Sequence, residues 1–150
     1  MWVVARDRSA AMGKPILIVD DSEDDVLFLK RVITRSGIVN PVHCVFSAQD
    51  AMAYLDGSGQ YTDRDQWPLP GVIMLDLKLP GVHGFELLEW CRAHQYCKDA
   101  LIIVLSGSGD VPTIRRAYEL GANSFLTKPA RSADFENLMR AHPQHWERKG

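Results

Sequence analysis

"GVIMLDLKLPGVHG", residues 71–84, carries an unbroken apolar run to a single carboxylate, Asp76, and then turns through Pro80-Gly81. The run is too short for a helix, and its flanking Gly and Pro bound it as a strand. A strand that is apolar on both faces must be covered on both faces, as in a parallel sheet packed between helices. If neighbouring segments repeat the pattern, this one decides the fold.

They do. "PILIV" (15–19), "VHCVF" (42–46), "ALIIVLS" (100–106) and "SFLT" (124–127) read as further strands. Between them the period changes to that of a helix. Over 22–36, Val26, Leu29 and Ile33 stand at helical spacing, Ser22 and Asp25 have the spacing of a capping box, and Gly37 sits where a left-handed residue ends a helix. Ser47 with Asp50 caps a second helix that stops at Gly57. A third runs from about Gly84 to Ala93 with Phe85, Leu88 and Cys91 on one side. A fourth begins near Val111, tolerates Pro112 in its first turn and stops at Gly121. A fifth lies near 132–141, ahead of Pro143. Residues 57–70 mix Gly, Pro and charge without a period and read as a long exposed recognition loop. Strands and helices in alternation make a doubly wound α/β fold with a five-stranded parallel sheet and five flanking helices.

The 150 residues and 46% hydrophobic content suit one domain with its own core. A net charge of −2 argues against direct nucleic-acid binding, which recruits clustered Lys and Arg. No apolar stretch approaches the roughly 20 residues of a membrane span, so the expected location is cytoplasmic. Cys44, Cys91 and Cys97 are an odd count in apolar surroundings and read as reduced packing residues. His142 and His145 lack further ligands at metal spacing and read as part of a solvated tail. Residues 1–13 read as a flexible extension, with Met12 a candidate start, and 14–150 as the folded domain.

Helical crossovers point all the strands one way, so residues just past each strand share the edge where open α/β folds bind ligands. Asp20 and Asp21 follow the first strand, Asp76 the third, Ser106 the fourth and Lys128 the fifth. Singly, each has a bland role as cap, turn residue or surface charge. Jointly they form neighbouring carboxylates that repel one another unless a cation intervenes. Mg²⁺ suits such a site, because it takes oxygen ligands and needs only one or two protein carboxylates beside a phosphate. A carboxylate can itself attack phosphorus, with metal and Lys neutralising charge and Ser106 donating to a phosphoryl oxygen.

"ILIVDDSEDD", "LDLKLPGVHG", "IVLSGS" and "FLTKP", in that order at strand ends, resemble the receiver domain of two-component response regulators, the CheY-like fold, over about residues 14–141. The resemblance implies a flavodoxin-like strand order, 2-1-3-4-5. It makes Asp76 the phosphoacceptor, and Asp21, Asp76 and the backbone carbonyl of Lys78 direct Mg²⁺ ligands, with Asp20 acting through metal-bound water. It casts Ser106 as the switch hydroxyl, Lys128 as the phosphate-binding lysine before a cis Lys128–Pro129 bond, and Phe125 as the switch aromatic. It also implies a phosphohistidine donor on a sensor histidine kinase or phosphotransfer protein. The loop 57–70 with Tyr61, "SGIVNPVHCVFSAQDAMAYL", "AYELGANSFLTKP" and Trp146 look most like small single-domain regulators that work with bacterial phytochrome kinases. Such relatives often pair through the fourth-helix face, so a homodimer is an expectation. With barely ten residues after the last helix, output is expected through protein contacts.

Lys78 departs from these relatives, which usually carry Asn or another polar residue there. Its ammonium is expected to alter metal affinity or the lifetime of the phosphoryl group. A haloacid-dehalogenase-type phosphatase shares the strand-end Asp but needs a second Asp at position 78. A flavodoxin-like electron carrier needs a Ser/Thr/Gly-rich phosphate loop where this chain has "DDSEDD". A non-phosphorylated pseudo-receiver, acting only as a docking module, remains the third alternative.

Overall fold

The computed structural model describes residues 13–149. In chain order the elements are β1 (Ile16–Val19), α1 (Glu23–Arg35), β2 (Val42–Val45), α2 (Ala48–Asp56), β3 (Val72–Asp76), α3 (Gly84–Ala93), β4 (Leu101–Ser106), α4 (Val111–Glu119), β5 (Ser124–Thr127) and α5 (Ser132–Ala141). The reading of 1–13 as a flexible extension falls on residues that, up to Met12, lie outside those described.

The strands pair in parallel in the order β2-β1-β3-β4-β5, as expected. Side chains alternate across a strand, and here both faces are apolar. Leu17, Val19, Ile73, Leu75, Ile102 and Val104 pack on one side, against α2, α3 and α4. Ile16, Ile18, Val72, Met74, Ile103 and Leu105 pack on the other, against α1 and α5. This double cover is why the strands read as continuous apolar runs. It also leaves only the two ends of the sheet open, and the end where the strands finish collects the polar groups.

Both predicted capping boxes are half formed. The Ser22 and Ser47 hydroxyls accept from the amides of Asp25 and Asp50, at 3.2 and 3.1 Å. Neither acid reaches back to its cap. The Asp50 carboxylate accepts from the Tyr61 hydroxyl at 2.9 Å, and Asp25 turns to Lys128. Partners distant in sequence outcompete the local return bond.

Residues 57–70 form a surface segment, exposed at Ser58, Gly59, Gln60, Thr62, Asp63, Asp65 and Gln66, that a few side chains pin to the core. A 3-10 turn at Gly59–Tyr61 buries Tyr61 against Tyr54, and Trp67 closes edge-on over both rings. The Arg64 guanidinium donates to the carbonyls of Tyr54, Leu55 and Trp67. The C-terminal tail also corrects the expectation of a solvated end. Val39 donates to the carbonyl of Glu147, Lys149 to that of Gly37, and buried Asn40 joins Lys14, His145 and Glu147. Trp146 is buried edge-on against Phe135. Free Cys91 and Cys97 are buried core residues and Cys44 is half-buried, consistent with packing roles.

Candidate functional site

β1 ends just before Asp20 and Asp21, β3 ends on Asp76, β4 ends on Ser106, and β5 delivers Lys128 one residue past its end. The shared strand direction therefore brings five groups to one edge, as the sequence predicts. Asp20, Asp76 and Ser106 are buried, whereas Asp21 is exposed. One carboxylate oxygen from each of Asp20, Asp21 and Asp76 lies within 4.8 Å of the others.

Lys128 crosses this group. Its Nζ lies 2.8 Å from Asp20 Oδ2 and 3.2 Å from Asp76 Oδ2. The second oxygen of each acid is held by backbone. Asp20 Oδ1 accepts from the Ser22 amide at 3.0 Å, and Asp76 Oδ1 from the Lys78 amide at 3.2 Å. These bonds aim the remaining oxygens at the ammonium. Burial pushes the Asp76 carboxyl above the usual carboxylate range; Lys128 and the Lys78 amide oppose the rise, and the Asp20 charge adds to it. Burial alone would lower the Lys128 ammonium, but hydrogen bonds to Asp20 and Asp25 and the Asp76 charge outweigh it and raise its pKa.

The acceptor loop depends on close backbone approach. A Cβ on Gly84 would meet Leu77 Cα at 2.5 Å and the Asp76 carbonyl at 2.7 Å, so only glycine lets α3 start this near the end of β3. On the other flank, the Lys128 amide donates to the Ser106 carbonyl at 2.8 Å, tying β5 to β4, and Ser106 Oγ accepts from the Ser108 amide at 3.1 Å. The Lys128–Pro129 bond is cis. Phe125 pairs in register with Val104 and packs, half-buried, on the α4 side of the sheet. Lys78 is exposed and makes no ion pair among the described residues.

One member of the site was not anticipated. Asp25 Oδ2 lies 3.0 Å from Lys128 Nζ, so Asp25 shares the ammonium with Asp20 and Asp76. The available signal was position: Asp25 lies in the first turn of α1, three residues past the extended cap Ser22 and just beyond the strand-end acids. The adjacent acids Glu23 and Asp24 obscured which carboxylate faces inward. The four carboxylates against one ammonium leave surplus negative charge on an all-oxygen donor set, which suits a hard divalent cation.

Residues 16–140 match the response regulator receiver domain family. The response regulator Rcp1 of Synechocystis sp. is 30% identical over 133 residues, covering 89% of this chain and 88% of Rcp1. Among solved structures, the bacteriophytochrome response regulator RtBRR superposes with a TM-score of 0.76 at 32% identity, covering 85% of this chain and 76% of that one. The Mn²⁺-bound form of Rcp1 superposes with a TM-score of 0.69 at 30% identity, covering 85% and 90%. Sheet order, strand-end acids and sequence agree: the chain belongs to the response regulator receiver domain family.

Proposed function

We propose that this receiver domain accepts a phosphoryl group on Asp76 from the phosphohistidine of a sensor histidine kinase or phosphotransfer protein. The observation that carries this reading is the Lys128 ammonium standing 2.8 Å from Asp20 and 3.2 Å from Asp76 beside the exposed Asp21. An Asp76 oxygen attacks phosphorus and the P–N bond breaks. The electron pair returns to the imidazole nitrogen, leaving an aspartyl phosphate. Lys128 then donates to one phosphoryl oxygen and the Ser106 hydroxyl to another, spreading charge that the acceptor alone would concentrate.

Asp21, Asp76 and the Lys78 carbonyl would hold Mg²⁺, with Asp20 acting through a bound water. Mg²⁺ held there supplies neutralisation of the charge on the phosphoryl oxygens. The surplus of carboxylates over ammonium supports this assignment. Ser106 turning toward the phosphoryl group gives Phe125 room to move, which changes the α4–β5–α5 face. Val111 and Tyr118 are exposed on α4, and we assign that face to protein contacts, including a homodimer. Similarity to the bacteriophytochrome regulator RtBRR supports a phytochrome-type kinase as donor. Among the described residues no helix is long and apolar enough to cross a membrane, and a cytoplasmic signalling role follows from this reading.

The test is intact mass after incubation with acetyl phosphate and Mg²⁺. The expected result is one labile phosphate on the wild type and none on Asp76→Asn. A wild type that takes up no phosphate would favour the pseudo-receiver alternative. Steady turnover of phosphate esters would favour the phosphatase, although Lys78 stands where that chemistry needs an acid.

A further inference from the structure

We propose that Asp25 is a positioning residue of this site: it competes with the phosphoryl group for the Lys128 ammonium and so slows phosphorylation of Asp76. The inference rests on the reading of Asp76 as the acceptor.

An ammonium has three N–H bonds and no more. At Lys128 two of them go to Asp20 at 2.8 Å and Asp25 at 3.0 Å, and the ammonium stands at ion-pair distance, 3.2 Å, from Asp76. Asp20 and Asp76 are buried, but the Asp25 side chain is 51% exposed. A phosphoryl group arriving on Asp76 brings oxygens that compete with Asp20 and Asp25 for the ammonium. Asp25 is the one that water can solvate once released, so it yields at least cost. Its backbone contributes separately, through the amide that Ser22 caps. The carboxylate is therefore not needed for the cap, and its departure leaves α1 intact. Asp25 also lines a cleft of about 260 Å³ with Asp20, Phe28, Lys128 and Pro129, where its charge opposes an incoming phosphate anion.

In the reaction that tests this, an Asp76 oxygen bonds to phosphorus while the P–O bond of acetyl phosphate breaks and acetate leaves with the electron pair. No proton is transferred, so the effect of Asp25 is confined to charge and to the availability of Lys128. The experiment measures the rate of phosphate uptake from acetyl phosphate at fixed Mg²⁺ by intact mass, for wild type, Asp25→Asn, Asp25→Glu and Asp24→Asn, with Asp76→Asn as the blank. Asp24 supplies the same charge from the same helical turn, and no ion pair joins it to Lys128.

The expected result is a three- to tenfold faster uptake for Asp25→Asn, a rate near wild type for Asp25→Glu, and no change for Asp24→Asn. Equal rates for Asp25→Asn and wild type would overturn the inference, as would an equal acceleration by Asp24→Asn, which would reveal general electrostatics. A lowered Tm with an unchanged rate would show a purely structural role and would also overturn it. Failure of the wild type itself to take up phosphate would instead defeat the assignment of Asp76.

Discussion

Where the strands finish, the Lys128 ammonium faces the carboxylates of Asp20, Asp25 and Asp76. Where they begin, the Arg92 guanidinium faces the carbonyls of Cys97, Lys98, Ala100 and Gly121 and the side-chain oxygen of Asn123. Both cations are part-buried and both draw together loops that are distant in sequence. They differ in what they face. Neutral dipoles solvate the Arg92 guanidinium and the Asp99 carboxylate acts on it from nearby, so no surplus of like charge gathers there. Lys128 meets more negative charge than it can neutralise, so its end is poised to take a second cation and to exchange one of its contacts. The two ends thus differ in surplus negative charge, with burial being similar at both.

The largest effect should come from removing the cation at the acidic end. Lys128→Ala is expected to slow phosphorylation from acetyl phosphate on the order of 10²–10³-fold, as for loss of a preorganised charge-stabilising donor. A rate within a few-fold of wild type would mean that the acidic end works without its ammonium. The matching change at the other end, Arg92→Ala, should lower the unfolding free energy in urea by roughly 2–3 kcal/mol, because it orphans part-buried carbonyls. The folded variant should take up phosphate at the wild-type rate, and slower uptake would show that the two ends are coupled.

Smaller effects probe the surplus charge itself. The Asp76 pKa is raised in the folded state, so its ionised form is disfavoured by folding. A carboxyl shifted in this direction stabilises the fold at low pH and loses that contribution as pH rises through its folded pKa. Asp76→Asn should therefore raise the metal-free Tm by a few degrees at neutral pH, with the gain shrinking as the buffer is acidified into the carboxylate range. Differential scanning calorimetry across pH checks the sign, and a variant less stable than wild type at pH 7 would contradict the charge surplus. The smallest change is expected from Lys78→Asn. An exposed ammonium beside the site should weaken metal binding only modestly, so its removal should tighten Mg²⁺ by roughly two- to fivefold. Identical Mg²⁺ titrations and dephosphorylation rates would remove Lys78 from the account.

Most of the site is legible in the sequence, because parallel topology turns chain order into spatial order. Asp20, Asp21, Asp76, Ser106 and Lys128 each follow a strand, and strands joined by helical crossovers finish on one edge. Asp25 was misread because a capping box is a local pattern, and the Ser22 half of it does form. Its carboxylate had a stronger partner in Lys128, separated by 103 residues. The same happened at Asp50, whose carboxylate the Tyr61 hydroxyl captured. Residues 57–70 and the C-terminal tail lacked any period, yet Arg64, Trp67 and Trp146 pin them down. Irregular segments fold onto a core through individual side chains, and these leave no repeating signature.

What the amino-acid order determined alone was the succession of doubly buried strands and capped helices, and with it the edge on which the reactive groups stand. Periodicity and turn chemistry act over a few residues, so they are written locally. Only the tertiary structure decided which carboxylates share the Lys128 ammonium, how closely Gly84 brings α3 to Asp76, and that the tail closes over Asn40. Those outcomes turn on small differences in the separation of side chains and backbone far apart in the chain, and such separations are set only after the layers have packed.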